Sequence, residues 1–435
     1  MNKVTFFTLG CKVNQYETEA MEEIFEKRGY TVVDNDEVAD IYVINTCTVT
    51  NLGDRKSRQF IRRAKKLNQD AIVAAVGCYS QVAPEEVEKI EDVDIIIGTT
   101  NRDKIVDLCE EVRSSNKRIN IVKNIKGYKE FEDLNIVDVK DKTRAYIKIQ
   151  EGCNQFCSYC IIPYARGPIR SRRLDNIIKE TKRLSETGFK EIILTGIHVA
   201  SYGKDLKDVN LLDVIEEVGK VNGIDRIRLS SIEPTLIDED FMERTIKIKK
   251  LCDHFHLSLQ SGSDRVLEGM NRKYTTSQYK EIVNLIRRYL PDAGITTDII
   301  VGFPGETEEE FEETCNFVKD IKFSRIHVFK YSSRKGTPAS KFEGQIDGNT
   351  KHIRSEKLIS LGDDLMDDFH EKFIGKTMEV LFEEESKEDV KFMEGYTTNY
   401  IRVKAEASED IKGKILPVKI IAKQNDLLIG KIEEL

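Results

Sequence analysis

No stretch of the 435-residue chain is apolar for long enough to cross a bilayer, which takes about 20 such residues in a row. The N-terminus, Met1-Asn2-Lys3-Val4-Thr5-Phe6-Phe7, reaches Gly10-Cys11 before a signal-peptide core can form. A soluble, cytoplasmic protein without membrane contact is therefore expected. Internal repeats at solenoid periods and low-complexity tracts are also missing. Acidic residues outnumber basic ones, 76 to 68, for a net charge of −8. That argues mildly against a nucleic-acid partner but leaves room for local basic clusters. Nine cysteines are an odd number and sparse for this length, so a disulfide framework is excluded. In a reducing compartment, clustered cysteines serve as metal ligands or catalysts. The length implies two or three domains.

Residues 1–112 alternate strands and helices, the pattern of an open α/β sheet. Val4–Leu9 runs into Gly10-Cys11, Ile41–Ile44 ends at Asn45-Thr46-Cys47, and Ala71–Val76 ends at Gly77-Cys78. Ligands of open parallel sheets bind outside the carboxyl ends of the strands, so Cys11, Cys47 and Cys78 are expected to converge. Three thiolates without a fourth partner suit a 4Fe–4S cluster with one open iron better than a closed four-ligand zinc site. Cys109 and Cys315 lie in apolar helical stripes and read as core; Cys252 has no evident partner. Between Cys47 and the next strand, residues 54–67 carry seven basic residues against one acidic. At helical spacing Arg55, Arg58, Arg62 and Lys65 form one stripe and Phe60, Ala64 and Leu67 the buried one. Such a stripe is either a solvated face or a phosphate-contacting surface; its place beside a proposed cluster favours RNA.

Residues 113–143 are polar and irregular and read as a linker. Arg144–Ile149 then forms a strand, followed at once by Cys153, Cys157 and Cys160 in a Cys-x3-Cys-x2-Cys array. Three such thiolates hold three irons of a cubane and leave the fourth open. A zinc knuckle would need a further Cys or His, and none lies near in sequence. Strand-like runs at 191–196, 226–230, 255–260, 295–302 and 325–330, separated by helical stretches, complete a partial parallel (β/α)6 barrel spanning 144–370.

This array after a first barrel strand resembles the signature of the radical S-adenosylmethionine superfamily. With Ile161-Ile162-Pro163-Tyr164-Ala165-Arg166-Gly167 and the upstream Cys11, Cys47 and Cys78, nearly the whole chain is similar to the methylthiotransferase family. The resemblance implies two 4Fe–4S clusters and S-adenosylmethionine. Cys153, Cys157 and Cys160 would hold the cluster that cleaves S-adenosylmethionine to a 5′-deoxyadenosyl radical, and the other cluster would carry the sulfur to be methylated and transferred. Thr195, Gly196, Ser230, Glu233, Ser258, Gln260, Asp298 and Gly302 fall where the family holds S-adenosylmethionine. Each is equally a cap or turn residue on its own. His198 follows a glycine turn and is a candidate for lining the site; His256 and His327 read as satisfied groups within strands.

Residues 371–435 change character to short strands, the pattern of a small closed OB-like barrel. One strand is expected to span Tyr396–Val403. The tail resembles the RNA-binding TRAM module, in which Tyr396, Tyr400 and Arg402 would stack on bases or meet phosphates. It departs from a basic module, with 11 basic residues against 14 acidic.

Replacing an unactivated purine C–H by C–S requires a radical carried by a cofactor. The family implies tRNA as substrate for two branches and a ribosomal-protein aspartate for the third, with a flavodoxin- or ferredoxin-like electron donor and a sulfur source as partners. Thr8-Leu9-Gly10-Cys11-Lys12-Val13-Asn14-Gln15-Tyr16-Glu17 is most similar to the branch acting on threonylcarbamoyladenosine, the others being isopentenyladenosine and the aspartate. A carboxylate-bearing substrate favours a basic pocket, for which Lys12 or Arg166 is available; both are equally structural or phosphate-contacting candidates. A different class, a non-catalytic metal-cluster protein that binds RNA, would need neither two open clusters nor a barrel edge fitted to a nucleoside.

Overall fold

The computed structural model of the chain describes residues 2–134, 143–407 and 409–433. Six parallel strands make the first sheet: β1 (Lys3–Thr8), β2 (Thr31–Val32), β3 (Ile41–Thr46), β4 (Ile72–Gly77), β5 (Ile95–Ile97) and β6 (Ile119–Asn120), in the order β2-β1-β3-β4-β5-β6. Every residue of β3 and β4 is buried, as a parallel strand covered on both faces must be. Strand alternation divides the apolar residues between two cores: Val4, Val43 and Ala74 on one face, Tyr42, Ile44 and Val73 on the other. The intervening helices include α1 (Lys12–Lys27) and α2 (Asn51–Leu67). The sixth strand lies inside the stretch expected as a linker from residue 113. Ile119 and Ile121 flank Asn120 at strand spacing and pack on the first core, a short alternation masked by the polar residues around it. Residues 135–142 of that stretch lie outside the described residues.

The second body is a partial barrel. Its parallel strands are β7 (Arg144–Glu151), β9 (Glu191–Gly196), β10 (Arg226–Leu229), β11 (His254–His256), β12 (Gly294–Val301) and β13 (Arg325–Lys330), with β8 (Arg170–Ser171) antiparallel to the end of β7. Parallel bridges Ile227–Leu251 and Ile232–Leu257 link β10 to the chain around β11, so β7-β9-β10-β11-β12-β13 is one curved surface. The (β/α)6 expectation is thus met. Ala145, Ile147 and Ile149 join the large core beneath the helices. Arg144, Tyr146 and Lys148, on the other face, meet α1, which packs against β7 and β9.

The tail is a closed five-stranded barrel of β14 (Thr377–Glu385), β15 (Phe392–Tyr396), β16 (Arg402–Glu406), β17 (Ile415–Gln424) and β18 (Leu427–Ile432). The strand expected over Tyr396–Val403 is instead the turn between β15 and β16. Thr397 closes it, its hydroxyl accepting from the Ile401 amide at 2.9 Å, and Tyr400 adopts a left-handed φ of +71°. An aromatic residue rarely takes that conformation unless its surroundings over-determine it. Here they do. The Tyr400 ring stacks on His254 at 4.6 Å and on Tyr396 at 4.9 Å, with the Arg228 guanidinium 4.6 Å from its centroid. Arg228, fully buried, also pairs with Glu191 at 2.8 Å and donates to the Thr397 and Thr398 carbonyls. The turn therefore seals the end of the larger barrel at which its strands begin.

Removing one member of a buried charge pair costs about 3–5 kcal/mol. Arg228→Ala is therefore expected to lower the thermal unfolding temperature and to expose the junction near residue 376 to limited proteolysis. An unchanged digestion pattern would show that this turn does not hold the two barrels together.

Candidate active site

Cys11 is the N-cap of α1, Cys47 follows β3 and Cys78 opens the short helix after β4, so each thiol stands at the end of a different strand. Two glycines let these ends approach. A Cβ on Gly10 would come within 2.8 Å of Cys47 Sγ, and one on Gly77 within 2.7 Å of the Asn45 side chain; both have φ near +100°. A polar clamp holds the three ends in register. Asn14 Nδ2 donates to the Leu9 and Thr46 carbonyls, Asn45 Nδ2 to the Asn14 carbonyl, and Thr46 Oγ1 to the Val76 carbonyl. The thiols are close enough that Cys11 and Cys47 charge acts on Cys78.

Cys153, Cys157 and Cys160 line the loop after β7. Gly152 starts the loop because a Cβ there would meet the Pro168 carbonyl at 1.9 Å. Ser158 anchors it to the Gly269 and Met270 carbonyls, Asn271 Nδ2 donates to the Phe156 carbonyl, and Phe156 is left-handed at +48°. Strain of this kind gathers where a site must be pre-shaped.

Each triad faces one guanidinium. Arg166 Nε donates to Cys78 Sγ at 3.1 Å, and Arg272 Nη1 to Cys157 Sγ at 3.5 Å. Burial raises the Cys78 and Cys160 thiols to about 12 and Cys153 to about 11; Arg166 works against burial at Cys78. A buried guanidinium on a sulfur is a poor partner for a neutral thiol and a strong one for a thiolate. Among the described residues, no three His, Cys, Asp or Glu side chains crowd close enough to share one ion. Each triad supplies three thiols at strand ends, the donor type that iron–sulfur clusters take.

The remaining expected residues divide. Arg272 Nη2 reaches Glu233 Oε2 at 3.0 Å and the Ser258 carbonyl at 3.1 Å, which joins Cys157, Glu233 and Ser258 into one wall. His198 completes it: its amide donates to Gln150 Oε1 at 2.7 Å and its Nε2 lies 3.3 Å from Glu233. Although burial pushes the Glu233 carboxyl up, His198 and Arg272 hold it below its usual value. Thr195 and Gly196 end β9 beside Gln150. Ser230 Oγ is buried without a hydrogen-bond partner among the described residues, as a group meant for a ligand would be. Gln260, left-handed at +72°, exchanges backbone bonds with β12. Asp298 faces His256 at 3.2 Å, and Thr296 also satisfies His256. Gly302 is explained without a ligand: its φ is +73° and Lys351 fills the space a Cβ would need. Arg272 carried no motif signal, since it acts on Cys157 and Glu233, both distant in sequence.

Several expected RNA contacts are elsewhere. Arg166 is fully buried, its guanidinium held by Glu17 at 2.6 Å, Glu151 at 3.1 Å and Asn14 at 2.6 Å, so it cannot meet a phosphate. Lys65 is tied to the Ala71 carbonyl at 2.7 Å and Asp94 at 3.0 Å, and Arg58 to the Tyr79 hydroxyl at 3.0 Å. Arg55 and Arg62 are exposed, and with Arg58, Arg63, Lys66 and Phe60 they line a groove of about 650 Å³. The buried face of α2 centres on Ser57, Ile61 and Ala64, with Phe60 and Leu67 at its margin. Tyr396 lies under the Arg144 guanidinium at 4.7 Å from its centroid, and Arg402 pairs with Glu394. Each thus has a partner within the fold. Cys109 and Cys315 are core residues, as expected.

Around Arg166 a buried ion network spans the two larger bodies. Glu17 pairs with Arg102 at 2.5 Å and Lys148 at 3.0 Å, Lys148 with Glu151 at 2.9 Å, and Arg102 with Glu132 at 2.7 Å. Burial alone would push Glu17 and Glu151 up; Arg102, Arg166 and Lys148 hold Glu17 below its ordinary value, and Arg166 and Lys148 hold Glu151 well below.

Residues 147–318 match the model of the radical SAM superfamily and residues 3–98 that of the uncharacterized protein family UPF0004. Threonylcarbamoyladenosine tRNA methylthiotransferase MtaB of Bacillus subtilis (strain 168) is 47% identical over 97% of this chain and 94% of its own length. The protein of that name from Aquifex aeolicus (strain VF5) is 42% identical over 96% of this chain and 100% of its own. The tRNA-2-methylthio-N(6)-dimethylallyladenosine synthase of Clostridium novyi (strain NT) is 39% identical, covering 98% and 95%. In fold, the radical S-adenosylmethionine methyltransferase TsrM of Kitasatospora setae is similar, with a TM-score of 0.58 at 15% identity over 78% of this chain and 77% of that one.

The depressed carboxyls set an acid limit. A carboxylate with a lowered folded pKa contributes stability that is fully present above its unfolded value of 4.5 and is lost as pH falls through the lower folded value. Urea midpoints are therefore expected to drop below about pH 4.5. Glu151→Gln should cost about 3–5 kcal/mol at pH 7 and flatten that acid dependence. A variant whose midpoint parallels the wild type from pH 7 to pH 3 would exclude the network as its source.

Proposed function

The chain belongs to the radical S-adenosylmethionine methylthiotransferases, and from that premise we propose that it adds a 2-methylthio group to N6-threonylcarbamoyladenosine next to the anticodon of tRNA. The observation that carries this reading is the pair of separate three-cysteine sites, each with a guanidinium on one sulfur, in a chain 47% identical to a relative named for that reaction. A 4Fe–4S cluster with S-adenosylmethionine supplies the one-electron chemistry of the superfamily when bound.

Cys153, Cys157 and Cys160 would hold that cluster. Glu233, Arg272 and His198, with Ser230, Ser258 and Gln260, would form the wall for the nucleoside and amino-acid parts of S-adenosylmethionine; Arg272 presents a charge to its carboxylate or to the Cys157 thiolate. Cys11, Cys47 and Cys78 would hold a second cluster, with Arg166 keeping the Cys78 thiolate charged in a dry setting. The exposed Arg55–Arg62 face of α2 would meet the tRNA backbone. An electron donor of flavodoxin or ferredoxin type and a sulfur source complete the partners, in the cytoplasm. The functional division into residues 1–112, 144–370 and 371–435 follows the first cluster site, the second and the tail. Dimethylallyladenosine, named in relatives of 39% identity and below, is the second reading.

The test is nucleoside mass spectrometry of tRNA from cells lacking this gene, after incubation with reconstituted protein, S-adenosylmethionine and a strong reductant. A methylthio mass gain on threonylcarbamoyladenosine is expected, falling to background in Cys157→Ala together with 5′-deoxyadenosine. Cys47→Ala should still release 5′-deoxyadenosine while the methylthio product disappears. With both clusters verified by iron analysis, a gain on no tRNA nucleoside would refute the tRNA reading.

A further inference from the structure

Lys12 follows directly on Cys11, at the first turn of α1. It lines a cavity of about 530 Å³ with Cys11, Thr8, Gln15 and Tyr146, within the size range of small-ligand pockets. Arg144, Arg228, Glu191 and Tyr400 stand close enough for their charges to act on its ammonium, and its own charge reaches His254 and His327. Lys12 is therefore in the neighbourhood of the strands that begin at Arg144, Glu191 and His254 and of the stacked Tyr400 and His254 rings.

The other charges there are already matched. Arg228 is committed to Glu191 and to two carbonyls of the tail turn. Arg144 pairs with Glu383 at 2.7 Å and covers the Tyr396 ring. His254 and His256 both meet Thr296. Glu19 and Glu22, on the same cavity wall but about two turns along α1, have interactions of their own. Among the described residues Lys12 makes neither a hydrogen bond nor an ion pair. Its side chain is exposed, so a group entering the cavity can reach the ammonium directly. An accessible ammonium without an ion-pair partner gains a charge-assisted bond from an incoming anion and offers nothing comparable to an apolar group.

We propose that Lys12 is the specificity residue of this enzyme, contacting the free carboxylate that the threonylcarbamoyl group carries beyond the adenine. The proposal rests on the threonylcarbamoyl reading above and names the residue that enforces it. A carboxylate on the modified base fits better than a backbone phosphate, because Lys12 shares its cavity with Cys11, whereas the cations of α2 line a separate groove that no cysteine enters. A dimethylallyl group would leave the ammonium unmatched.

The experiment compares holoenzyme carrying Lys12, Lys12→Gln or Lys12→Arg on anticodon stem-loops bearing threonylcarbamoyladenosine or its methyl ester, with iron content measured for each protein. A hydrogen bond to a charged group is worth about tenfold to a hundredfold in binding. Wild type is therefore expected to prefer the acid over the ester by that factor in kcat/KM, mainly through KM. Lys12→Gln should lose the preference and Lys12→Arg keep most of it. Equal use of acid and ester by the wild type overturns the proposal even where a variant fails to load its clusters, as does a Lys12→Gln protein that retains the preference. A wild type inactive on the acid but active on another nucleoside refutes the function reading, and the proposal with it.

Discussion

The arrangement of the whole site depends on one buried set of charges: Arg102, Lys148 and Arg166 against Glu17, Glu132 and Glu151. Three cations and three carboxylates balance, and nearly all are without solvent exposure. Taking that many charges out of water is costly, and a well-packed apolar interface of the same volume would be at least as stable. What the network provides is register. Glu17 and Arg102 belong to the first body, Lys148, Glu151 and Arg166 to the barrel, and apolar surfaces slide where matched guanidinium–carboxylate geometry does not. Because Arg166 also donates to Cys78, the placement of the two bodies and the electrostatics of one cysteine site are set by the same side chain.

Polar residues stand at both ends of the barrel strands. At the end where the strands finish, Arg272, Glu233 and His198 form a connected wall beside Cys157. At the other end the Tyr400 turn forms the floor of the barrel. Phe156, Gln260 and Tyr400, three of the non-glycine residues with left-handed φ, lie at the cysteine loop, the wall and the floor. Each costs backbone energy that ordinary loops avoid, and each is held by contacts from a different element: Asn271 for Phe156, β12 for Gln260, Arg228 and His254 for Tyr400. These three backbone positions are thus fixed by contacts within the fold itself.

Local pattern made much of this legible in the sequence. The strand ends at Gly10-Cys11, Thr46-Cys47 and Gly77-Cys78 are visible because a buried parallel strand is a continuous apolar run and the chain must turn immediately after it. The barrel and the closed tail barrel follow from the same spacing. What stayed hidden depends on long-range pairing. Arg166 sits in a motif but reads as exposed, since nothing in its neighbourhood announces Glu17, which is 149 residues away. Lys65 belongs to a helical stripe of four cations, yet a carbonyl and a carboxylate beyond the helix claim it. Tyr396 and Arg402 read as RNA contacts only through the tail's resemblance, while in the structure their partners are Arg144 and Glu394. The short strand at Ile119 was lost among polar neighbours.

Charge composition alone misleads for the same reason. A net −8 sums every charge in the chain, buried or not, whereas the site is defined by which cations have partners. Arg166 and Arg272 are shared between carboxylates and sulfur, which leaves neither guanidinium free to select a substrate. Arg144 and Arg228 are absorbed by the floor. Selection by charge within the site then falls to a cation whose neighbours leave it unsatisfied, and a lysine suits that task better than an arginine. Its compact ammonium on a flexible stem reaches a single carboxylate without needing the flat, two-pronged partner that a guanidinium requires. Placed one residue after Cys11, it ties recognition of the modifying group to the cysteine site that would deliver the sulfur.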